Sequence, residues 1–83
     1  MTRDEITAVL FEEIGNVAPE VDPRSVPDSA DLRDALDIDS IGFLNLMIAL
    51  DARLGIAVPE ADYPRLRTIR GAVEYLCGRS AAA

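Results

Sequence analysis

The chain has 83 residues, 49% of them hydrophobic and 28% charged, which supplies one small core and leaves no length for a second domain. Eight arginines stand against fifteen Asp and Glu, net −7, so the summed field repels nucleic acid and anionic membrane and favours a protein partner with a basic surface. With no His and no Lys, the chain can build neither a Ser-His-Asp or Cys-His pair nor a Schiff-base or P-loop lysine, and catalytic activity of its own is not expected.

A first helix is predicted from about Arg3 to Gly15. Thr2 and Glu5 have the spacing of a capping box, and Ile6, Val9, Leu10 and Ile14 form one apolar face with Glu12 and Glu13 on the other side. Pro19, Pro23 and Pro27 then turn residues 16–39 into a long loop, with room for one short helical turn around Leu32, Ala35 and Leu36. A central helix begins after Asp39, in a capping position, and runs to Gly55. Ile41, Leu44, Met47, Ile48 and Leu54 recur along it at spacings of three and four. Phe43 and Leu46 fall off the Ile41/Leu44/Ile48 stripe, so apolar surface at Phe43 and Leu46 is expected to face outward.

Residues 55–59 read as an extended link, and Pro59 to Arg65 as one short turn that Pro64 interrupts. The last helix is capped by Thr68, presents Ile69, Val73 and Leu76 to the core and ends near Gly78. The expected fold is thus an all-α, antiparallel four-helix bundle with a long first loop and a short third helix. Residues 1–78 form its single domain and 79–83 a frayed tail.

Cys77 reads as a small apolar residue without an internal disulfide partner, so nothing implies an oxidising compartment. No apolar run has the length of a membrane span, and the acidic N-terminal stretch is unlike a signal peptide. A cytoplasmic monomer without stable membrane insertion is expected. Tyr63 and Tyr75 read as core-edge aromatics, and Arg65, Arg67 and Arg70 as a basic cluster that is solvated or paired with the acidic loop. Residues 1–39 hold eleven acids and three arginines, net −8, and Asp28, Asp31, Asp34, Asp37 and Asp39 line the loop that leads into the central helix.

Three readings compete for residues 36–42, Leu-Asp-Ile-Asp-Ser-Ile-Gly. Asp37, Asp39 and Gly42 meet three requirements of a calcium loop, but Ile41 and Ile48 occupy two of its ligand positions, and no metal is expected. The plainest reading is that Asp39 caps the helix and Ser40 is an ordinary first-turn residue. In the third, Asp39-Ser40-Ile41 resembles the Asp-Ser-Leu motif of acyl carrier proteins. The likeness extends to the helix from Ile41 to Asp51, its exit at Leu54 to Pro59, the start of the last helix at Thr68 to Val73, and the approach at Asp31 to Leu36.

The resemblance implies a stand-alone carrier, with a 4'-phosphopantetheine arm derived from coenzyme A attached covalently to Ser40 between Asp39 and Ile41. The arm's thiol holds acyl groups as thioesters for lipid, polyketide or related biosynthesis. A separate phosphopantetheinyl transferase brings the coenzyme, Mg²⁺ and the base, and other partners load and transfer the acyl group. The docking face is expected from Asp37, Phe43, Leu44, Leu46, Met47, Ile48 and Asp51. With Asp51 its lone acid, the central helix is less charged than that of familiar fatty-acid carriers, which points to a specialised pathway. A peptidyl or aminoacyl carrier, and an acidic adaptor with no prosthetic group, are the alternatives.

Overall fold

In the computed structural model, which describes residues 2–81, the first helix starts where Thr2 and Glu5 satisfy each other's amides. Thr2 Oγ1 accepts from the Glu5 N–H at 3.1 Å and Glu5 Oε1 from the Thr2 N–H at 3.0 Å. This helix, α1, spans Arg3–Val17 and passes Gly15 by two residues. The Ala18 N–H still bonds the Ile14 carbonyl at 2.9 Å, and Pro19 then bars a further turn. Ile6, Leu10 and Ile14 are fully buried.

The proline-rich loop contains a 3₁₀ turn at Pro23–Ser25, which the periodicity did not reveal, and a four-residue helix α2 at Leu32–Ala35 capped by Asp31. The loop is strapped down by its own acids. Asp31 pairs with Arg67 at 2.6 Å and Asp28 with Arg70 at 3.2 Å. Beside these pairs the Leu32 N–H donates to the Arg67 carbonyl at 2.7 Å and the Arg70 N–H to the Asp28 carbonyl at 3.0 Å. Arg65 instead lies over the Tyr75 ring, 4.9 Å from its centroid.

Helix α3 spans Ser40–Leu54 and ends on Gly55, whose φ of 67° suits a residue without a side chain. A 3₁₀ helix at Glu60–Leu66 comes next, with Pro64 inside it rather than interrupting it. The fixed φ of proline lies within the 3₁₀ range, so the ring costs one donor and does not break the turn. The last helix, α4, spans Ile69–Ala81. Thr68 Oγ1 accepts from the Gly71 N–H at 3.0 Å, the expected cap. A Cβ on Gly71 would collide with the Arg65 carbonyl, so glycine is what lets α4 start so close to the 3₁₀ helix. The helix continues past Gly78, where its end was expected, and takes in residues 79–81 of the presumed frayed tail. Ala82 and Ala83 lie outside the described residues.

Helix α1 packs on α3 and α4, and α4 on the 3₁₀ helix, giving the expected all-helical bundle around one core. The orientation of α3 departs from the expected one at Phe43 and Leu46, which were expected to face outward. Met47 of the expected stripe is buried, whereas Leu44 and Ile48 of the expected docking face are exposed. Phe43, Leu46 and Met47 are buried with Leu50, while Ile41, Leu44 and Ile48 are 66%, 41% and 57% exposed. At 100° per residue the two stripes lie on opposite sides of one helix, and tertiary packing selected the one that holds Phe43.

At the far end of α3, Arg53 donates to Glu13 at 2.8 Å and to Glu12 at 3.0 Å, tying α3 to α1. The Arg53 hydrogen bond, helped by the Asn16 amide, holds the buried Glu13 carboxyl below the usual carboxylate range. The Arg67 hydrogen bond does the same for Asp31. Carboxyls with lowered folded-state pKa values contribute stability above their unfolded pKa, near 4, and lose it as pH falls through the folded value. Burial, and after it the hydrogen bond to Asp62, raises the Tyr75 phenol, whose contribution is therefore lost only as alkali titrates it. The melting temperature should accordingly be flat from about pH 5 to pH 9 and fall on acidification below about pH 4. Arg53→Met should lower it several degrees at pH 7 and progressively less towards pH 3. An equal loss at both pH values would assign Arg53 a packing role only.

Candidate functional site

The approach to Ser40 is built from backbone geometry. Asp37 comes after α2 with φ 53°, the one described non-glycine residue in the left-handed region, and this turns the chain out of α2. The Ile38 N–H bonds the Arg33 carbonyl at 3.0 Å and the Asp37 N–H the Asp34 carbonyl at 3.3 Å, closing the end of α2. Asp37→Gly should leave stability equal or raise it by up to about 1 kcal/mol, and Asp37→Val should lower it by about 1–2 kcal/mol. Urea unfolding measures both. A valine variant as stable as the parent would show that this turn relaxes freely.

Asp39 is the N-cap of α3, its Oδ1 accepting from the Gly42 N–H at 2.8 Å, as the sequence leads one to expect. A Cβ on Gly42 would lie 3.0 Å from Ile38 Cβ, so the small residue lets the incoming chain sit tightly on the first turn of α3. Ser40, the first residue of α3, is exposed. The Phe43 N–H is taken by the Asp39 carbonyl, whereas the Ser40 and Ile41 amides have no acceptor among the described residues. Two open donors and the positive end of a fifteen-residue helix favour an anion on the Ser40 hydroxyl.

Beside Ser40 opens a cleft of ≈ 340 Å³ between the start of α3 and the 3₁₀ helix. Ile41, Phe43, Leu44, Tyr63 and Pro64 supply its apolar lining, and Arg33, Arg67 and Glu60 its charged groups. Tyr63 meets Phe43 edge-on with ring centroids 6.0 Å apart, and Arg67 lies 5.8 Å from the centre of the Phe43 ring. An exposed hydroxyl, two open amides and an adjoining slot that is apolar with charged edges fit a phosphodiester arm with an acyl chain.

Of the residues expected to carry function, Asp37, Asp39, Ser40, Ile41, Leu44, Ile48 and Asp51 lie along the approach and the outer face of α3, away from the core. Phe43, Leu46 and Met47 are not available to a partner because they belong to the core. Arg33, Glu60, Tyr63, Pro64 and Arg67 line the cleft without having been singled out for it. They come from separate turns, and no local spacing signals their convergence.

The chain matches the family described as "Phosphopantetheine attachment site" over residues 8–76. It is 30% identical to the acyl carrier protein of Myxococcus xanthus over 77 residues, 93% of this chain and 96% of that protein. A match of 30% over 80 residues links it to the acyl carrier protein of Micrococcus luteus, covering 96% and 98% of the two chains. It is also 32% identical over 75 residues to the meromycolate extension acyl carrier protein of Mycolicibacterium smegmatis, 90% of this chain and 75% of that one.

Proposed function

Because the chain belongs to the phosphopantetheine-attachment family of acyl carrier proteins, a carrier and not a catalyst whose covalent cofactor is 4'-phosphopantetheine, we propose that Ser40 bears the arm. The observation that carries this reading is the placement of Ser40 as the exposed first residue of α3, beside two open amides and the mouth of the cleft. The adaptor alternative, which had no prosthetic group, falls with the family assignment. When bound, the arm supplies the thiol that carries acyl groups as thioesters. The protein's own part is positional: Asp39 fixes the first turn, the Ser40 and Ile41 amides face the phosphate, and the apolar side of the cleft shields the acyl chain from water.

Ile41, Leu44 and Ile48 form the docking surface for loading and transferring enzymes and for the transferase, with Asp37 and Asp51 at its ends. Their exposure on the same helix as Ser40 supports this reading. The load is an intermediate of acyl-chain biosynthesis. Relatives named for acyl carriage and for meromycolate extension favour a lipid-type product over a peptidyl one. Among the described residues no helix is long and apolar enough to cross a membrane.

The attachment is tested by incubating the folded chain with coenzyme A, Mg²⁺ and a broad-specificity phosphopantetheinyl transferase. Intact mass should rise by one arm, and proteolytic fragments should place it on the peptide containing Ser40. An unchanged mass under conditions that modify a control carrier, or an arm on another peptide, overturns the assignment.

A further inference from the structure

We propose that Arg33 and Arg67 form an oxyanion seat in the cleft beside Ser40, filled by the arm's phosphodiester or by a carboxylate on the acyl load. The proposal deepens the attachment reading and rests on it. Arg24, Arg53, Arg67, Arg70 and Arg79 all have a carboxylate within ion-pair distance. Arg3, Arg33 and Arg65 have no carboxylate partner among the described residues. Arg3 and Arg65 are exposed outside the cleft, Arg65 over the Tyr75 ring, whereas Arg33 is half-buried and lines it.

Arg67 is only partly used. One of its terminal nitrogens holds Asp31 at 2.6 Å, while its Nε–H is buried with no acceptor. A buried donor without a partner is costly, and guanidinium matches the paired oxygens of phosphate and carboxylate. Glu60 lines the same cleft with no ion pair to either arginine, and its charge repels an anion from its own neighbourhood, confining the seat to the two arginines. A phosphodiester on Ser40 Oγ lies at the mouth of this cleft, because Ser40 is itself part of the lining. A carboxylate further along the load reaches the cleft by the flexibility of the arm.

The Nε–Hε signals of ¹⁵N-labelled protein separate these sources. They are recorded for the apo chain and for chains bearing the bare, acetylated and malonylated arm, at one pH and ionic strength, after intact mass has confirmed each state. Arg33 and Arg67 signals that shift and resist exchange on addition of the bare arm identify the phosphodiester as occupant. A shift with the malonyl load and not the acetyl load identifies a carboxylate. Signals alike in all four states overturn the seat alone, whereas a chain that takes no arm at Ser40 overturns the attachment reading and the seat with it. Arg33→Gln removes a side chain that makes no ion pair, so its apo melting temperature should match the parent. The rise in melting temperature produced by the occupant should fall by at least half in this variant. An undiminished rise likewise overturns the seat.

Discussion

Ser40→Ala protein, incubated with coenzyme A, Mg²⁺ and a phosphopantetheinyl transferase, is expected to keep its apo mass while the parent gains one arm. No other hydroxyl among the described residues offers a substitute. Ser25 Oγ donates to the Asp22 carbonyl at 2.7 Å inside a three-residue turn. Thr7 Oγ1 is bonded to the Arg3 carbonyl at 2.9 Å within α1, and Thr68 Oγ1 caps Gly71. Ser80 lies in the last turn of α4, at the negative end of a helix, where a phosphate is disfavoured. Ser29 lies in the loop before α2, with no helix start to offer amides. Thr2 is exposed at the start of α1, but its Oγ1 already accepts from the Glu5 N–H, and Asp4 and Glu5 in that first turn repel a phosphate. Ser40 combines exposure with open amides and a first turn free of acids. The Ser40 side chain is exposed and supports no packing, so the variant should unfold within about 0.5 kcal/mol of the parent. Loss of loading is then not loss of fold. A Ser40→Ala chain that still gains an arm would move the attachment site elsewhere.

Phe43→Ala and Ile48→Ala should have opposite consequences although both remove a large apolar group from α3. Phe43 is 4% exposed, packed edge-on against Tyr63 and beside Arg67, so truncation leaves a cavity and should cost about 3–5 kcal/mol. For a domain this small that is a large share of the total, and the melting temperature should drop steeply. Ile48 is 57% exposed, and its truncation should alter stability by less than about 1 kcal/mol. In an acyl-transfer assay with a cognate enzyme the Ile48 variant should instead show weakened docking, on the order of tenfold, with little relief or worsening by salt. Similar destabilisation by both variants would mean that α3 lacks a free face. Strong salt dependence with a silent Ile48 change would assign docking to Asp37 and Asp51 in place of the apolar stripe.

The features legible from the sequence alone were those set by neighbours a few residues apart. Thr2 with Glu5, Asp39 before Ser40, Thr68 before Ile69 and Gly55 after Leu54 mark helix ends because capping is a local exchange of hydrogen bonds, and each occurs where its spacing places it. Local periodicity likewise placed Ile6, Leu10 and Ile14 on the buried face of α1 but missed Glu13, expected on the other side and in fact buried with them, because its partner Arg53 comes from α3. Helix α3 has apolar residues on both sides, so its period was legible while its phase was not. One hint was present: Phe43, Leu46, Met47, Leu50 and Leu54 continue for three turns, whereas the stripe of Ile41, Leu44 and Ile48 runs into Asp51 and Ala52. Only the packing of α1 and the 3₁₀ helix decided which stripe is core and which is surface. The cleft was illegible for the same reason. Arg33, Ser40, Tyr63 and Arg67 meet because a loop strapped by Asp31 and Asp28 brings α2 against the start of α4, and contacts between distant turns leave no periodic trace in the chain.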